Sequence, residues 1–478
     1  MLDRPSRAWT WGSRLAVCMA AWGLGLAVAH PARAQALLPV GSQFQINTYT
    51  PGTQAPAVAA ANARGDVVIG WTSSTSPGTD LGSESIQARR YSGTSPLGAQ
   101  FQVNGYTTQF QTSPAAAMGP DGSFVVVWES RRSAGDYLWS IQAQRYASDG
   151  SPQAVQFQVN SYATDYQRYP SVASAENGDF VVVWESRGSS GTDSNLESVH
   201  GQRYASDGSA LGAEFQINSY TTGLQRHAEV AAAPNGDFVV VWRSYGGFGT
   251  DVGIFGDDSV QGQRYASDGS AKGGQFQVNS YTTGAQFYPS VAADYQGDFV
   301  VVWTSVGSYG TDAYSSFSVQ GQRFSQDGSP RGGEFQVNTY TTMNQTYPAV
   351  AASPAGNFVV VWQSWGSSGT DSFFYSIQGQ HFGADGSPQG GEFQVNTYTS
   401  HDQGMPAAIS LPGNDFLVVW HSNRAGPGND TDSLSIQGQR YRVHYRVPAL
   451  SKPLSLGLAG TLLVLGIAAV RRRRRYAQ

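Results

Sequence analysis

The sequence predicts an all-β chain built as a seven-bladed β-propeller of four-stranded blades, and three observations carry that prediction. A run of the type Phe299-Val-Val-Val-Trp303 recurs seven times, ending at Trp71, Trp128, Trp184, Trp242, Trp303, Trp362 and Trp420. Each tryptophan stands 27 residues after a phenylalanine that opens a Phe-Gln-(Val/Ile)-Asn unit, so repeats start near 44, 101, 157, 215, 276, 335 and 393. Each unit holds four short β-rich runs bounded by turn signals such as Ser148-Asp-Gly150, with no helical periodicity. Seven copies of one spacing mean seven copies of one structural unit, and four strands per copy match a propeller blade.

The chain divides into three parts: 1–36, 37–446 and 447–478. The first has Arg4, Arg7 and Arg14, then an apolar run from Leu15 to Ala29, then the small-residue stretch Ala32-Arg-Ala34-Gln-Ala36. That is the pattern of a secretory signal peptide, so the expectation is an exported protein. The one cysteine, Cys18, lies inside that run, which leaves the mature chain without disulfides and dependent on packing. Between residues 37 and 446 there are 19 basic and 33 acidic residues, a charge of about −14, which argues against nucleic acid as a partner.

Within a unit, strand roles follow from residue size. The small run seen at Pro289–Ala293 suits the innermost strand, where blades crowd the axis. The Phe-Val-Val-Val-Trp run is apolar on both faces, as a strand between neighbouring blades must be, so its tryptophan reads as inter-blade packing. The array starts on a Phe-Gln-Ile-Asn strand at Phe44 and ends after Tyr441, leaving the seventh unit without an outer strand of its own. The first strand can supply it and close the ring, which removes the exposed sheet edges of an open solenoid, the alternative architecture. The Asn, Tyr and Gln at offsets 3, 5 and 10 from each Phe, such as Asn279, Tyr281 and Gln286, are sevenfold. They read as groups satisfying buried backbone at each junction, with a polar channel lined by the glutamines as the other reading.

The tail begins with Val447, Pro448, Ala449, Leu450 and Ser451, continues as a 17-residue apolar run over 454–470, and ends on Arg471–Arg475. The run is about long enough for a short membrane helix, with the arginines on the cytoplasmic side. This layout resembles the bacterial PEP-CTERM type of sorting signal, closest to the variant reading Ile-Pro-Thr-Leu-Ser; Lys452 departs from the usual pattern. The resemblance implies a Gram-negative cell-surface protein whose tail is processed by an exosortase-like protease, often in organisms that secrete polysaccharide. A plain single-pass membrane anchor is the other reading. The repeats themselves resemble those of large bacterial secreted and surface proteins, a resemblance that implies no activity.

Length variation falls between the tryptophan and the third strand, from 13 residues (Trp128 to Ile141) to 18 (Trp242 to Val260). These loops open on one face of the disc, where binding residues on a rigid scaffold are expected. In units four to six they carry Tyr245, Phe248, Phe255, Tyr309, Tyr314, Phe317, Trp365, Phe373, Phe374 and Tyr375, a set suited to stacking on glycans, to a protein interface, or to ordering the loops themselves. Asp251, Asp257 and Asp258 lie in the longest loop and could attract Ca²⁺, although the dense spacing of a calcium loop is missing and an Asx-type turn is the simpler role. No His-Glu-x-x-His or Gly-x-Ser-x-Gly motif occurs. Glu129 and Glu185 follow the tryptophan in units two and three and are the candidate catalytic pair. The expectation is a non-catalytic surface or matrix protein that binds glycan or protein through the variable face; the alternative is a propeller hydrolase or lyase acting on extracellular polysaccharide.

Overall fold

The computed structural model describes residues 35–445 except 76–77, 80–83, 132–137, 189–190, 194–195, 246–257, 308–315, 368, 372–373 and 425–432. Residues 1–34 and 446–478, which carry the expected export signal, sorting motif and apolar segment 454–470, lie outside this set. Among the described residues no helix is long and apolar enough to cross a membrane.

Seven antiparallel sheets make a seven-bladed propeller of four-stranded blades. Blade 3 is typical: inner strand Gln167–Ser174, second strand Phe180–Arg187, third strand Glu197–Tyr204 and a short outer strand Phe215–Gln216. The outer strand of each blade is the Phe-Gln unit of the following repeat. In blade 7 that strand is Gln35–Gln45, from the other end of the chain, which pairs with Leu434–Tyr445 from Gln35↔Tyr445 to Gln45↔Gln437. The ring is therefore closed by the N-terminal strand, as the sequence predicts.

The second strands are buried on both faces because each alternates between two neighbours. In blade 2, Phe124, Val126 and Trp128 pack on Val68, Ile86 and Ala88 of blade 1. Val125 and Val127 pack on Val182 and Trp184 of blade 3. All seven repeat tryptophans are fully buried. Each indole N–H donates to the glutamine that opens its own inner strand, as in Trp303 Nε1 to Gln286 Oε1 at 2.8 Å and Trp184 to Gln167 at 2.9 Å. The sevenfold glutamines are thus buried partners of tryptophan and not the lining of a polar channel.

The sevenfold asparagine has an equally local role. Asn160 Oδ1 accepts the N–H of Ile141 at 2.8 Å, and its amide donates to the carbonyl of Tyr162 at 2.9 Å, so one side chain continues the third strand's ladder where the outer strand turns away.

One irregularity recurs on every inner strand. Two residues after its opening glutamine the register slips, for example between Arg168 and Ser171 and between Arg226 and Glu229. The bulged residues Ser113, Tyr169, His227, Tyr288, Tyr347 and Met405 have φ of 51°, 50°, 53°, 53°, 51° and 46°. A bulge of this kind re-aims a side chain, and here it brings Tyr169 to 5.5 Å from His227 of the next blade.

Candidate active site

The site builds from this bulge and from the residue after each tryptophan. Strand pairing sets Glu129 opposite Thr112 and Glu185 opposite Arg168, at the ends of the strands nearest the variable loops. From there each carboxylate reaches across the seam to the bulge of the next blade. Glu129 accepts the N–H of Tyr169 at 2.7 Å and faces Arg168 Nε at 3.4 Å. Glu185 accepts the N–H of His227.

The two carboxylates are not equivalent. Both are almost wholly buried, and burial raises both above the ordinary carboxylate range. Arg168 sits directly on Glu129, whereas Glu185 is pushed up to about 8 by burial, which outweighs the opposing effects of the His227 N–H and the Arg226 charge. It is therefore a neutral carboxylic acid at neutral pH, able to give a proton.

A cavity of about 240 Å³ opens at this seam between blades 3 and 4. Glu185, Glu197, Tyr169, His227, Arg168 and Arg226 line it, with Tyr166 and Arg187 completing the wall. Arg226 Nη2 holds Glu197 at 2.9 Å, an ion pair on the third strand facing the neutral Glu185. Burial, with the Arg243 and Arg226 charges, lowers His227 to about 4, so its imidazole is neutral and can accept a proton. Burial also raises the Tyr169 phenol, which stays protonated. Arg168 lies over the rings of Trp139, at 5.0 Å, and Tyr169, at 5.2 Å, which fixes its position. A neutral acid, a second carboxyl group paired with arginine and a neutral imidazole in one cleft are the parts of a proton-transfer site.

Glu185 therefore lies in the cavity, whereas Glu129 stands behind it as support for Tyr169 and Arg168. The carboxylate that accompanies Glu185 is Glu197, which sequence reasoning passed over, as it did His227 and Tyr169. The available signal was variation inside a fixed frame: between the sevenfold glutamine two positions earlier and the Pro or Ala that follows, the sequence reads Pro56, Ser113, Tyr169, His227, Tyr288, Tyr347 and Met405.

Of the ten aromatics expected on the binding face, five are described, and Tyr245, Trp365 and Phe374 among them are exposed. Phe248, Phe255, Tyr309, Tyr314 and Phe373 lie outside the described residues. Of the others, Trp365 meets Tyr375 edge-on at 4.7 Å, Phe317 meets Phe287 at 5.4 Å and Phe374 stacks on His401 at 5.9 Å, while Tyr245 is exposed. These described rings mostly pack within a blade or on the next crossover. Asp251 and Asp257 also lie outside the described residues; Asp258 is buried against Arg243 Nη2 at 2.5 Å, an ion pair. Among the described residues no group of three His, Cys, Asp or Glu is placed to hold a metal ion. The Gly-Thr-Asp loops instead tie to the outer strand, with Asp193 accepting from Asn218 at 2.8 Å and Asp371 from Asn396 at 3.0 Å.

A larger groove of about 960 Å³ runs between the outer strands of blades 1 and 2; amides, apolar groups and the hydroxyl residues Thr79, Tyr106 and Tyr146 line it, without a carboxylate or imidazole.

No protein-family model matches the chain, and no curated protein sequence matches it. Solved structures do match its fold. A polysaccharide lyase, ulvan lyase bound to a GlcA-Rha3S unit, aligns with 9% identity and a TM-score of 0.50, over 82% of this chain and 95% of that one. The α-L-arabinanase of Penicillium chrysogenum aligns with 16% identity and a TM-score of 0.43, over 69% and 92%. A mutant α-L-arabinofuranosidase of Fusarium graminearum aligns with 12% identity and a TM-score of 0.45, over 70% and 93%. At these identities the likeness is one of fold. The expectation of a non-catalytic binder is corrected on this point: the fold is shared with a polysaccharide lyase, and in this chain titratable groups converge in a cavity.

Proposed function

We propose that the protein is a propeller enzyme that cleaves glycosidic bonds in extracellular polysaccharide, with its active site at the seam between blades 3 and 4. The observation that carries this reading is Glu185, a carboxylic acid kept neutral to about pH 8 in the wall of an open cavity, beside Glu197, which Arg226 Nη2 contacts at 2.9 Å. Pairs of titratable groups with opposed environments divide acid and base roles. Glu185 protonates the departing glycosidic oxygen, and Glu197 assists a water on the other side of the bond, giving hydrolysis.

A second route rests on the neutral His227. If the sugar carries a carboxylate, Arg168 and Arg226 neutralise it and His227 removes the neighbouring carbon-bound proton, so that Glu185 completes a β-elimination. Purified protein is incubated with polygalacturonate and with linear arabinan, and reducing ends and ultraviolet absorbance are followed together. Reducing ends alone mean hydrolysis, added absorbance means elimination, and neither product from either polymer or from the producing organism's own exopolysaccharide sinks the proposal. Export and a processed sorting tail belong to the same reading, since such a substrate lies outside the cell.

A further inference from the structure

The cavity, at about 240 Å³, is smaller than the roughly 300–1,000 Å³ clefts that enclose a drug-sized ligand, so a polymer has to continue beyond it. The inner-strand bulges provide the continuation. Tyr169 and His227, both in the cavity wall, are the first two of four rings at the same position in blades 3 to 6. Tyr169 and His227 lie 5.5 Å apart, His227 and Tyr288 5.2 Å, and Tyr288 and Tyr347 4.3 Å in a stack tilted by 27°. The hydroxyls of Tyr288 and Tyr347 hydrogen-bond at 3.2 Å. Blade 7 ends the series with Met405, and blades 1 and 2 carry Pro56 and Ser113 there.

The fold does not require these rings. Ser113 forms the same bulge with φ of 51°, and a bulky residue in the left-handed region carries strain that a glycine or asparagine would spare. Four consecutive blades nonetheless place a large ring in it, in a series that starts in the cavity wall.

We infer that the arc Tyr169, His227, Tyr288 and Tyr347 is a stacking platform for consecutive sugar units of a linear polysaccharide, which makes the enzyme cut within chains. Aromatic faces and edges bind sugar rings through their apolar C–H surfaces, and phenol hydroxyls add hydrogen bonds at the rim. The inference rests on the proposed glycan-cleaving site, because Tyr169 and His227 belong to both.

The test separates the two. Binding is measured with a Glu185→Gln protein, which removes the acid without touching the far half of the arc, using polygalacturonate, linear arabinan and the producing organism's exopolysaccharide in affinity gels. The parent variant should be retarded by at least one polymer, Tyr347→Ala and Tyr288→Ala should each weaken that retardation about tenfold or more, and Tyr347→Phe should keep it. Thermal melts and tryptophan fluorescence check that each variant is folded. Undiminished retardation in both alanine variants, loss in Tyr347→Phe equal to that in Tyr347→Ala, or no retardation of any of the three polymers overturns the platform. Retardation with the expected ring dependence but no cleavage by the unmodified protein leaves the platform standing and overturns the catalytic reading instead.

Discussion

The Glu185 carboxylate accepts the backbone N–H of His227 across the seam between blades 3 and 4. One hydrogen bond thereby joins the residue after a buried tryptophan to a bulge in the next blade, and brings an acid and an imidazole from different repeats into one cavity. Glu129 and Tyr169 make the same contact one blade earlier, where Arg168 occupies the carboxylate's other oxygen.

Glu185→Gln should leave a folded protein with activity reduced by about 10²-fold or more, since general acid catalysis supplies roughly that factor. Glu129→Gln should cost less in activity, because Glu129 acts through Tyr169 and Arg168. Steady-state rates on a cleavable polymer, with melting temperatures alongside, check both. Equal losses in the two variants would refute the division of roles.

The pH dependence has a defined sign. Glu185 acts protonated, so activity should fall as pH rises through about 8. Its stability effect runs the same way: the folded state holds the proton up to about pH 8 and the unfolded chain releases it near its ordinary 4.5, so ionisation costs stability across that window. Glu185→Gln should remove this loss between pH 5 and 8, measured as the difference in melting temperature. A Gln variant with the same slope would show that another group titrates.

His381 predicts the opposite slope at lower pH. It replaces the arginine of the other third strands, which in blades 2 and 3 donates to carbonyls of the turn in the next blade, as Arg203 does to Asp268 and Ser267 at 2.5 Å. At the blade 6–7 junction the third strand of blade 7 runs on as Leu434–Tyr445 with no such turn, and His381 packs edge-on against Phe416 with neither ring nitrogen hydrogen-bonded. Burial lowers it to about 4 from 6.5. The unfolded chain therefore takes up the proton first, and stability is lost as pH falls from about 6.5 to 4, on the order of 2 to 3 kcal/mol for this one group. His381→Leu should flatten that part of the acid unfolding curve while changing stability little at pH 7.

The blade count, the strand order and the closing strand were legible because they depend on side-chain size and spacing, which repeat. Trp303 and Gln286 stand 17 residues apart in every copy of the repeat, so their pairing is a property of the unit. The proposed active site was not legible in this way. His227 meets Glu185 over 42 residues of chain, and its position depends on a register slip that leaves no mark in the apolar pattern. Glu185 was visible as a carboxylate in an unusual place, but its partner Glu197 opens a third strand and looked like an ordinary surface residue. Among the loop aromatics, the pairing of Trp365 with Tyr375 is revealed only by the strand register.

Trp303→Ala should destabilise the ring by about 3 to 5 kcal/mol through the cavity it leaves, and it also strips Gln286 of its donor. Gln286→Leu should cost about 1 to 3 kcal/mol by leaving the indole N–H unsatisfied. Denaturant unfolding of both variants measures the two terms, and a Gln286→Leu protein as stable as the parent would show that the buried pair contributes nothing.

The closing strand makes the sharpest stability prediction. At each junction the residue before the repeat phenylalanine clamps the crossover of the preceding blade, as Gln275 Oε1 accepts the N–H of Ser219 at 2.9 Å and its hydroxyl at 3.1 Å. At the ring closure Gln43 does the same for Thr397, at 2.9 and 3.0 Å, but here the two partners come from opposite ends of the chain. Local contacts are therefore alike at the two junctions, while the loop closed by Gln43 spans 354 residues. Gln43→Ala and Gln275→Ala should cost similar amounts of equilibrium stability, about 1 to 2 kcal/mol each. Their kinetics should differ, because blade 7 can dissociate from its outer strand by fraying at a chain end, whereas blade 4 is held by covalent neighbours on both sides. Protease susceptibility under native conditions should rise several-fold for Gln43→Ala, with first cuts in the closing strand, and little for Gln275→Ala. Equal susceptibility of the two variants would mean that the ring opens nowhere in preference, and that the seam joining the chain ends is as strong as any other.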